Sequence, residues 1–445
     1  MAAARICYLD ANGTTLMPQA VLDALLAWSN RGNPSAQYSS AVEVTKMMNA
    51  FRQSIAVESG FELTGPNAFA VVFTSGASES NCHIVTSAVR SYAASTGVLP
   101  HIITSAIEHN SLLECCRRLA AEKLCHLTVL PVGQFGENLG AVAASDLEAA
   151  IRSNTCLVTI MAANNETGIL NNIRELARIA GRARVPFHSD AAQLFGKSAV
   201  RPTMLGIDAF SASFHLLHGP PGVGVLAIRR KLVSGYKLSP HICGDENDGL
   251  RGGTENVPGI GASYAAFRHT MTDRATKTAR VQRLRDAIKS VLASRVPCFY
   301  LDEHPADSPP SIDGGITPPL PAQHHGSHDA RVAIALSEKD NSPIIFWIAP
   351  QDSVRVLPNT LLLAVRRPGF CNRAARAALE ARGVILSVGG ACSSGSRVFA
   401  AMGVPHSLRS GILRISLADV TNAGDIKAFV SNFLAVIRSD ECLLA

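Results

Sequence analysis

Short apolar segments rich in β-branched residues alternate with longer helical patterns from about residue 33 to residue 270. The seven apolar segments are AFAVVFTSG, PHIITSA, LTVLPV, CLVTIMAAN, VPFHSDAA, AFSASF and GVGVLAI. This alternation is typical of parallel strands joined by helices that cover both faces of the sheet. The sequence therefore predicts an α/β fold with a large, mainly parallel seven-stranded sheet.

A second, smaller α/β unit follows this region. One helical segment, TKTARVQRLRDAIKSVLASR, leads into a stretch at 305–345 that is rich in Pro, Gly, Ser and His, a composition typical of an insertion or long loop. Alternation resumes at LPNTLLLAV and continues through ARGVILSVGGACSSGS and LRISLADV. We therefore predict a large domain at 16–265 and a small domain built from 1–15 and 266–445.

Composition favours a globular protein that acts on a small molecule. Of the 445 residues, 47% are hydrophobic and only 17% are charged, which argues against long disordered tails. The net charge of +6 is spread without a run of five like charges, so we expect no nucleic-acid partner. No apolar run approaches the roughly 20 residues that span a bilayer, so we expect no membrane partner either.

The cysteines indicate a reducing compartment. Eleven cysteines, an odd number with no CxxC pair, match neither a disulfide framework nor a zinc-ligand pattern. The first residues, MAAARICYLDANGTT, enter a predicted strand within six positions and leave no room for a cleaved presequence. We therefore expect a cytoplasmic protein without a metal site.

Polar residues end many of the predicted strands, at the edge where open α/β sheets bind ligands. A single polar residue at a strand end more often caps a turn than binds a ligand. The interpretation therefore depends on the order of these segments along the chain. The segments in question are YLDANGTT, GNPSAQYS, FTSGASESN, IEHNSL, IMAANNETG, HSDAAQLFGK, RGGTENVPG, VGGACSSGS and LRISLADVT. In this order they resemble the selenocysteine lyases and the related NifS-type cysteine desulfurases. Both groups belong to the class V aminotransferase family of pyridoxal 5'-phosphate (PLP) proteins of fold type I.

The resemblance implies three residues around the PLP ring. Asp190 matches the aspartate that partners the pyridine nitrogen, whose protonation makes the ring an electron sink. Gln193 matches the residue bonded to the ring hydroxyl group. His109 matches the histidine that stacks on the ring and carries protons, a role that its near-neutral pKa permits.

The resemblance also implies a set of phosphate ligands. Ala77 and Ser78 lie where a strand turns into a helix, and a helix N-terminus offers backbone N–H groups to an anion. Ser213 and His215 match further phosphate ligands. Thr254 matches a residue that reaches the phosphate of the neighbouring subunit, so the family likeness implies a homodimer.

Substrate binding and chalcogen transfer are implied by three more residues. Asn165 and Arg414 match the pair that holds the substrate carboxylate, for which a bidentate arginine is well shaped. Cys392 matches the cysteine that receives sulfur or assists selenium release. Most cysteines are small buried hydrophobes, but the Gly- and Ser-rich segment around Cys392 favours an exposed nucleophile. The expected partners are a small amino-acid substrate and a protein that accepts the sulfur or selenium.

One position departs from the family pattern. His215 is followed by Leu216, whereas the family has there the lysine that forms a Schiff base with PLP. A leucine offers no nitrogen nucleophile and no titratable proton. We therefore expect PLP to be held without a covalent bond. Lys197, in LFGK, follows a helix, and its counterpart in the family is not the Schiff-base lysine.

Three functions are compatible with this departure. The first is a selenocysteine lyase or cysteine desulfurase that yields L-alanine and either uses another amine or works poorly. The second is a non-catalytic relative that kept the fold as a binding or regulatory partner. The third is a PLP or pyridoxamine-phosphate enzyme in which His215 or His218 replaces the lysine as a base. Tyr38, where many desulfurases carry histidine, and the segment VPHSLRSGILRISL favour selenium over sulfur.

Overall fold

The computed structural model describes residues 6–134, 136–235, 239–301, 342–388 and 396–443. The stretch expected as an insertion at 305–345 lies, up to residue 341, outside the described residues. Among the residues in these ranges, no helix is both long and apolar enough to cross a membrane. The ten cysteines in the same ranges all carry free thiols.

The described strands and helices alternate through most of the chain. The strands are β1 Cys7–Tyr8, β2 Phe69–Thr74, β3 His101–Ser105, β4 His126–Leu130, β5 Thr155–Thr159, β6 Phe187–Asp190, β7 Ala209–Ser213, β8 Gly224–Arg229, β9 Cys298–Tyr300, β10 Ile344–Trp347, β11 Thr360–Arg366, β12 Val384–Ile385, β13 Ser387–Val388 and β14 Ile412–Ser416. The helices are α1 Gln19–Trp28, α2 Ser39–Ser59, α3 Ala77–Thr96, α4 Asn110–Ala121, α5 Ala144–Ala150, α6 Ile173–Arg182, α7 Pro202–Leu205, α8 Arg230–Gly235, α9 Val257–Met271, α10 Arg274–Ala293, α11 Asn372–Glu380, α12 Arg397–Ala401, α13 His406–Arg409 and α14 Ala423–Arg438.

The large sheet confirms the predicted α/β architecture. Its seven strands lie in the order β2-β8-β7-β6-β5-β3-β4, and each overlaps one of the seven apolar segments. Only β8 runs against its two neighbours, so the sheet is mainly parallel. Strands β2, β3, β5, β6 and β7 are buried along their whole length. This two-sided burial explains why the segments are continuously apolar rather than alternating.

Helices cover this sheet through apolar stripes. Helix α2 buries residues at three- and four-residue spacing, the period that puts side chains on one helix face. At the centre of that stripe Phe51 is fully buried, and its ring centroid lies 5.0–5.6 Å from those of Phe73, Phe214, Tyr264 and Phe267. Phe214 follows β7 directly, so this aromatic cluster fixes the turn that carries the next residues, His215 and Leu216.

The C-terminal unit has its own sheet and its own core. Strands β13-β14-β11-β10-β9 form a five-stranded sheet, and α10, α11 and α14 contribute to the hydrophobic cluster that includes its buried side chains. Strand β1 pairs in parallel with β12, Cys7 opposite Val384, so the first described residues join the C-terminal unit. The exact domain boundaries, at 16–265 and 266–445, stay a prediction.

Candidate active site

The polar strand ends meet at one edge of the large sheet. Asp190 is the last residue of β6, and Ser213 is the last residue of the neighbouring strand β7. In the register of these two strands, Asp190 lies opposite Ser211. Because parallel strands end at the same edge, their carboxyl ends and the loops that follow them form one site.

Asp190 is a buried carboxylate held by two donors. The Asn81 amide donates to Asp190 Oδ2 at 2.7 Å, and the Ala192 N–H donates to Oδ1 at 2.9 Å. Burial raises the pKa of Asp190, and the two hydrogen bonds and the nearby His109 act in the opposite direction. Asn81 was not singled out from the sequence. It lies one helical turn after Ala77 on α3, so the same helix start carries both residues.

His109 and His215 lie close enough to interact electrostatically. His109 is the exposed N-cap of α4, and its Nδ1 accepts a hydrogen bond from the Ser111 N–H at 3.2 Å. Burial lowers the pKa of His215, and the charge of His109 lowers it further. His215 Nδ1 lies 3.3 Å from Thr14 Oγ1. The structure therefore brings His109 near both Asp190 and His215.

Glu108, next to His109, is a second buried acid that the sequence analysis did not identify. Its Oε1 accepts hydrogen bonds from Ser105 Oγ at 2.5 Å and from the Met161 N–H at 2.9 Å. Burial raises its pKa to about 8, against the effect of these two donors, and the Asp190 carboxylate contributes to the rise. Glu108 is therefore mostly protonated at neutral pH. Burial thus raises the pKa of both neighbouring acids, Glu108 and Asp190.

The start of α3 packs tightly against the end of the large sheet. A Cβ atom at Gly224, the first residue of β8, would lie 2.5 Å from backbone atoms of Gly76. A Cβ atom at Gly76 would lie 3.8 Å from Ser213 Oγ. The second distance is an ordinary contact, so it is the absence of a Cβ atom at Gly224 that lets the turn at Gly76 pack against β8. In the first turn of α3, Ser78 is exposed, Ala77 and Glu79 are half-buried and Ser80 is buried.

The segment that holds Thr254 lies beside the same helix. Arg251 Nε donates to Glu79 Oε1 at 2.8 Å, and this ion pair ties the segment to the first turn of α3. Thr254 itself is exposed. Its expected role toward a neighbouring subunit stays a prediction.

Arg414 and Asn165 are neighbours. Arg414 lies in the middle of β14, and its Nη1 donates to the Asn165 carbonyl oxygen at 3.0 Å. Its Nη2 makes an ion pair with Asp10 Oδ1 at 2.5 Å. Its buried Nε atom has no hydrogen-bond partner among the residues that the structure describes. Asp10 lies in the quoted segment YLDANGTT but was not singled out.

Gln193 belongs to a small network with Lys197 and Asn12. Lys197 Nζ donates to Gln193 Oε1 at 2.7 Å and to Asn12 Oδ1 at 2.8 Å. Gln193 Nε2 in turn donates to the Asn12 carbonyl oxygen at 3.0 Å. Leu216 ends a short 3₁₀ turn at Phe214–Leu216 and is only 8% exposed. Leu216 and Lys197 line one cavity of about 70 Å³.

Cys392 lies outside the described residues, at 389–395. The two described ends of that segment both contact the site. On one side Ser387 pairs with Arg414 across β13 and β14. On the other side Arg397 Nη2 donates to the Glu108 carbonyl oxygen at 2.6 Å. The described residues on the two sides of 389–395 therefore reach the expected carboxylate ligand Arg414 and the loop that carries His109.

Comparison with known proteins gives a consistent result. The family model described as Aminotransferase class-V matches residues 7–314. A cysteine desulfurase IscS of Methanosarcina thermophila is 30% identical over 427 residues, which cover 94% of this chain and 89% of the relative. A selenocysteine lyase of Bos taurus is 29% identical over 463 residues, with 96% and 92% covered.

Solved structures show the same fold. A NifS-like protein has a TM-score of 0.75 and 25% identity, and the match covers 97% of this chain and 99% of that protein. An apo structure of a cysteine desulfurase from Thermococcus onnurineus has a TM-score of 0.73 at 20% identity, with 97% and 95% covered. The match extends over both the large sheet and the C-terminal unit.

Proposed function

Because this chain belongs to the class-V aminotransferase family, we propose that it removes sulfur or selenium from L-cysteine or L-selenocysteine and yields L-alanine. The family is PLP-dependent. The observation that carries the proposal is the buried Asp190 carboxylate, which Asn81 and the Ala192 N–H hold beside His109. A buried anion at the strand ends is costly unless it has a cationic ligand to neutralise.

The residues at the strand ends fit the PLP ring. PLP, when bound, supplies an electron sink for negative charge that develops on the substrate, provided that its ring nitrogen is protonated. Asp190 is the anion suited to that nitrogen, and the protonated Glu108 beside it adds no second negative charge. His109 is exposed at the N-terminus of α4 and is free to hold or move a proton at Nε2.

The start of α3 fits a phosphate group. Ser78 is exposed in the first turn of this helix, and Ser213 Oγ lies 3.8 Å from the place of a Cβ atom at the preceding Gly76. Helix N-termini favour anions through their first backbone N–H groups and through the helix dipole. We propose that these residues hold the phosphate, with Thr254 of a second copy completing the site in a homodimer.

Position 216 does not fit a covalent link. The Leu216 side chain is buried and apolar, so this residue packs the turn after β7 and provides no nitrogen. Leu216 therefore contributes packing but no covalent bond to PLP.

Arg414 is suited to bind the substrate carboxylate. A guanidinium group has five N–H donors, and here Asp10 and the Asn165 carbonyl use one terminal nitrogen each. The second N–H group on each terminal nitrogen is then the donor that we propose for the substrate carboxylate. Cys392 is then the thiol that receives sulfur or assists selenium release and passes it to an acceptor protein.

The finer features of this proposal come from the sequence. The segment with Tyr38 favours selenium over sulfur, and the cysteine pattern favours the cytoplasm. The alternative of a non-catalytic relative that serves as a binding partner is favoured by one observation, the buried Leu216. A histidine base at His218 is disfavoured, because Asp419 and the Leu16 carbonyl already occupy both of its ring nitrogens, at 2.7 and 2.8 Å.

The test is product formation by the full chain supplied with PLP. We expect L-alanine in equal amount to the sulfide or selenide released from L-cysteine or L-selenocysteine. Replacing Arg414 by Lys keeps the charge but removes the bidentate geometry, and we expect KM to rise about tenfold or more, the loss typical of one charge-assisted hydrogen bond. Bound PLP without alanine from either amino acid would support the non-catalytic alternative instead.

A further inference from the structure

Lys197 has an amine that the function proposed above does not use. Its Nζ donates to Gln193 Oε1 at 2.7 Å and to Asn12 Oδ1 at 2.8 Å. In the described part of the chain no carboxylate pairs with this amine. The charged group that influences its pKa is Arg414, which is also positive. The amine thus lies next to a predicted ring ligand without an anion to keep it charged.

The surroundings of Lys197 favour the neutral amine. The residue as a whole is half-buried, but protein atoms enclose the amine end. This desolvation lowers the pKa of Lys197 to about 7, and the nearby positive charge of Arg414 lowers it further. An exposed lysine has a pKa near 10.4 and is almost fully protonated at neutral pH. Near pH 7 about half of Lys197 is therefore an unprotonated amine, the form that acts as a nucleophile.

The two hydrogen bonds also orient the nitrogen. A neutral amine has two N–H donors and one lone pair. Both partners of Lys197 are amide oxygens, which accept hydrogen bonds and cannot donate. The two N–H groups are engaged, and the lone pair stays available. A carboxylate partner would instead have kept the amine protonated, without a lone pair.

Lys197 is also close to the residue that replaces the family lysine. Lys197 and Leu216 line the same cavity of about 70 Å³, together with Ala11 and Thr15. The long side chain of Lys197 and the shorter apolar side chain of Leu216 are therefore both at the wall of this cavity. Gln193, 2.7 Å from the amine, is the residue expected to bond the PLP ring hydroxyl group. In PLP that hydroxyl lies on the carbon next to the one that carries the aldehyde.

We propose that Lys197 supplies the amine that position 216 lacks and attaches PLP covalently, an inference that rests on the function proposed above. The lysine nitrogen forms a bond to the aldehyde carbon. The aldehyde oxygen leaves as water with the two N–H protons of the neutral amine, and a carbon–nitrogen double bond remains. This condensation needs neither an oxidant nor a reductant. It replaces the expectation, drawn from Leu216, of a cofactor held without a covalent bond.

The experiment traps and locates this bond in the full chain. Bound PLP is first measured by equilibrium dialysis, and the sample is then reduced with sodium borohydride, digested and mapped by mass spectrometry. We expect a pyridoxyl adduct on Lys197. Lys197→Arg should abolish it, because a guanidinium keeps N–H donors for Gln193 and Asn12 but does not condense with an aldehyde. Lys277→Arg is the matched control, since Lys277 lines the same cavity but pairs with Asp419 at 3.5 Å.

The pH dependence gives a second readout. With a pKa of about 7 the unprotonated fraction of Lys197, and with it the initial rate of adduct formation, should rise about tenfold from pH 6 to pH 8. Bound PLP with no adduct on Lys197, or with the adduct on another lysine, would overturn this inference and leave the proposed function in place. Dialysis that shows no bound PLP would overturn both.

Discussion

Leu216 is the residue at which this chain departs most from its family likeness. The turn that carries it is anchored by Phe214 in the aromatic cluster, so a substitution at 216 is not expected to disturb the backbone. We predict that Leu216→Lys moves the borohydride-trapped adduct to residue 216 and raises alanine formation at least tenfold. The reason is that Asp190, His109 and Arg414 remain in place. Product analysis and peptide mapping check this result.

Two variants control for this substitution. Leu216→Met adds an apolar chain of similar volume without a nitrogen, a swap that usually costs less than about 1.5 kcal/mol, and it should leave alanine formation unchanged. Cys392→Ala in the lysine background should lower desulfurase turnover far more than PLP binding. If Leu216→Lys binds PLP and still releases no alanine, Leu216 is not the sole defect. That result would favour the alternative of a non-catalytic relative that serves as a binding partner.

At the scale of residues, the sequence does not show which side chains are hydrogen-bonded to each other. Asp190, His109 and Arg414 could be identified because each lies in a short segment with a family likeness. Their partners Asn81 and Asp10 lie in quoted segments too, but only the fold shows that they bond to Asp190 and Arg414. The pKa shifts of Glu108 and Lys197 come from burial in the folded chain, which no local segment encodes.

At the scale of elements, the start of α3 depends on a close approach to β8. A Cβ atom at position 224 would lie 2.5 Å from backbone atoms of Gly76. Only a shift of the backbone at one of these two residues could relieve this contact. We predict that Gly224→Ala lowers the free energy of unfolding by about 1–3 kcal/mol, the usual cost of overpacking, and weakens PLP binding. Urea unfolding and equilibrium dialysis measure the two effects.

Gly181→Ala is the matched control for this element. Gly181 lies in α6, and a Cβ atom there would meet no atom within 4 Å. The same substitution should therefore be neutral or stabilise the protein by up to about 1 kcal/mol, the helix-propensity gain of alanine over glycine. Equal destabilisation of both variants would show that the contact between residues 76 and 224 has no special role.

The elements themselves could largely be predicted, but not their arrangement. All seven apolar segments contain strands of one sheet, because their short length and their content of β-branched residues favour strands over buried helix segments. The reversed direction of β8 was not foreseen. Nor could the sequence show that the turn at Gly76 packs against β8, since two glycines far apart in the chain carry no pairing signal.

At the scale of the whole molecule, one ion pair joins distant parts of the chain. His218, after β7, bonds to Asp419, after β14, at 2.7 Å, with His269 and Lys277 nearby. Burial acts to raise the pKa of Asp419, but the His218 hydrogen bond and the neighbouring positive charges outweigh it and lower the pKa to about 2. The pair lies beside Leu216 in the cavity that Lys197 also lines.

The pH dependence of unfolding tests this pair. A carboxylate with a lowered pKa stabilises the fold above its unfolded pKa of about 4, and this stabilisation is lost as the pH falls toward 2. We predict that Asp419→Asn lowers the free energy of unfolding by about 2 kcal/mol at pH 5 and by less at pH 3, as urea unfolding would show. Asp440→Asn is the control, because Asp440 is 85% exposed in its pair with Arg367 and such pairs contribute about 0–1 kcal/mol. Equal effects at both pH values would contradict this account.

PLP binding through the residues around Asp190 underlies the whole of the chemistry proposed for this fold. The most direct measurement is a titration of the purified chain with PLP followed by absorbance spectroscopy. We predict a saturable change in the PLP spectrum at one cofactor per chain, and an affinity at least tenfold weaker for Asp190→Asn, which removes the charge beside the ring nitrogen. A spectrum that stays that of the free aldehyde at millimolar PLP, with no retention on dialysis, would contradict the account.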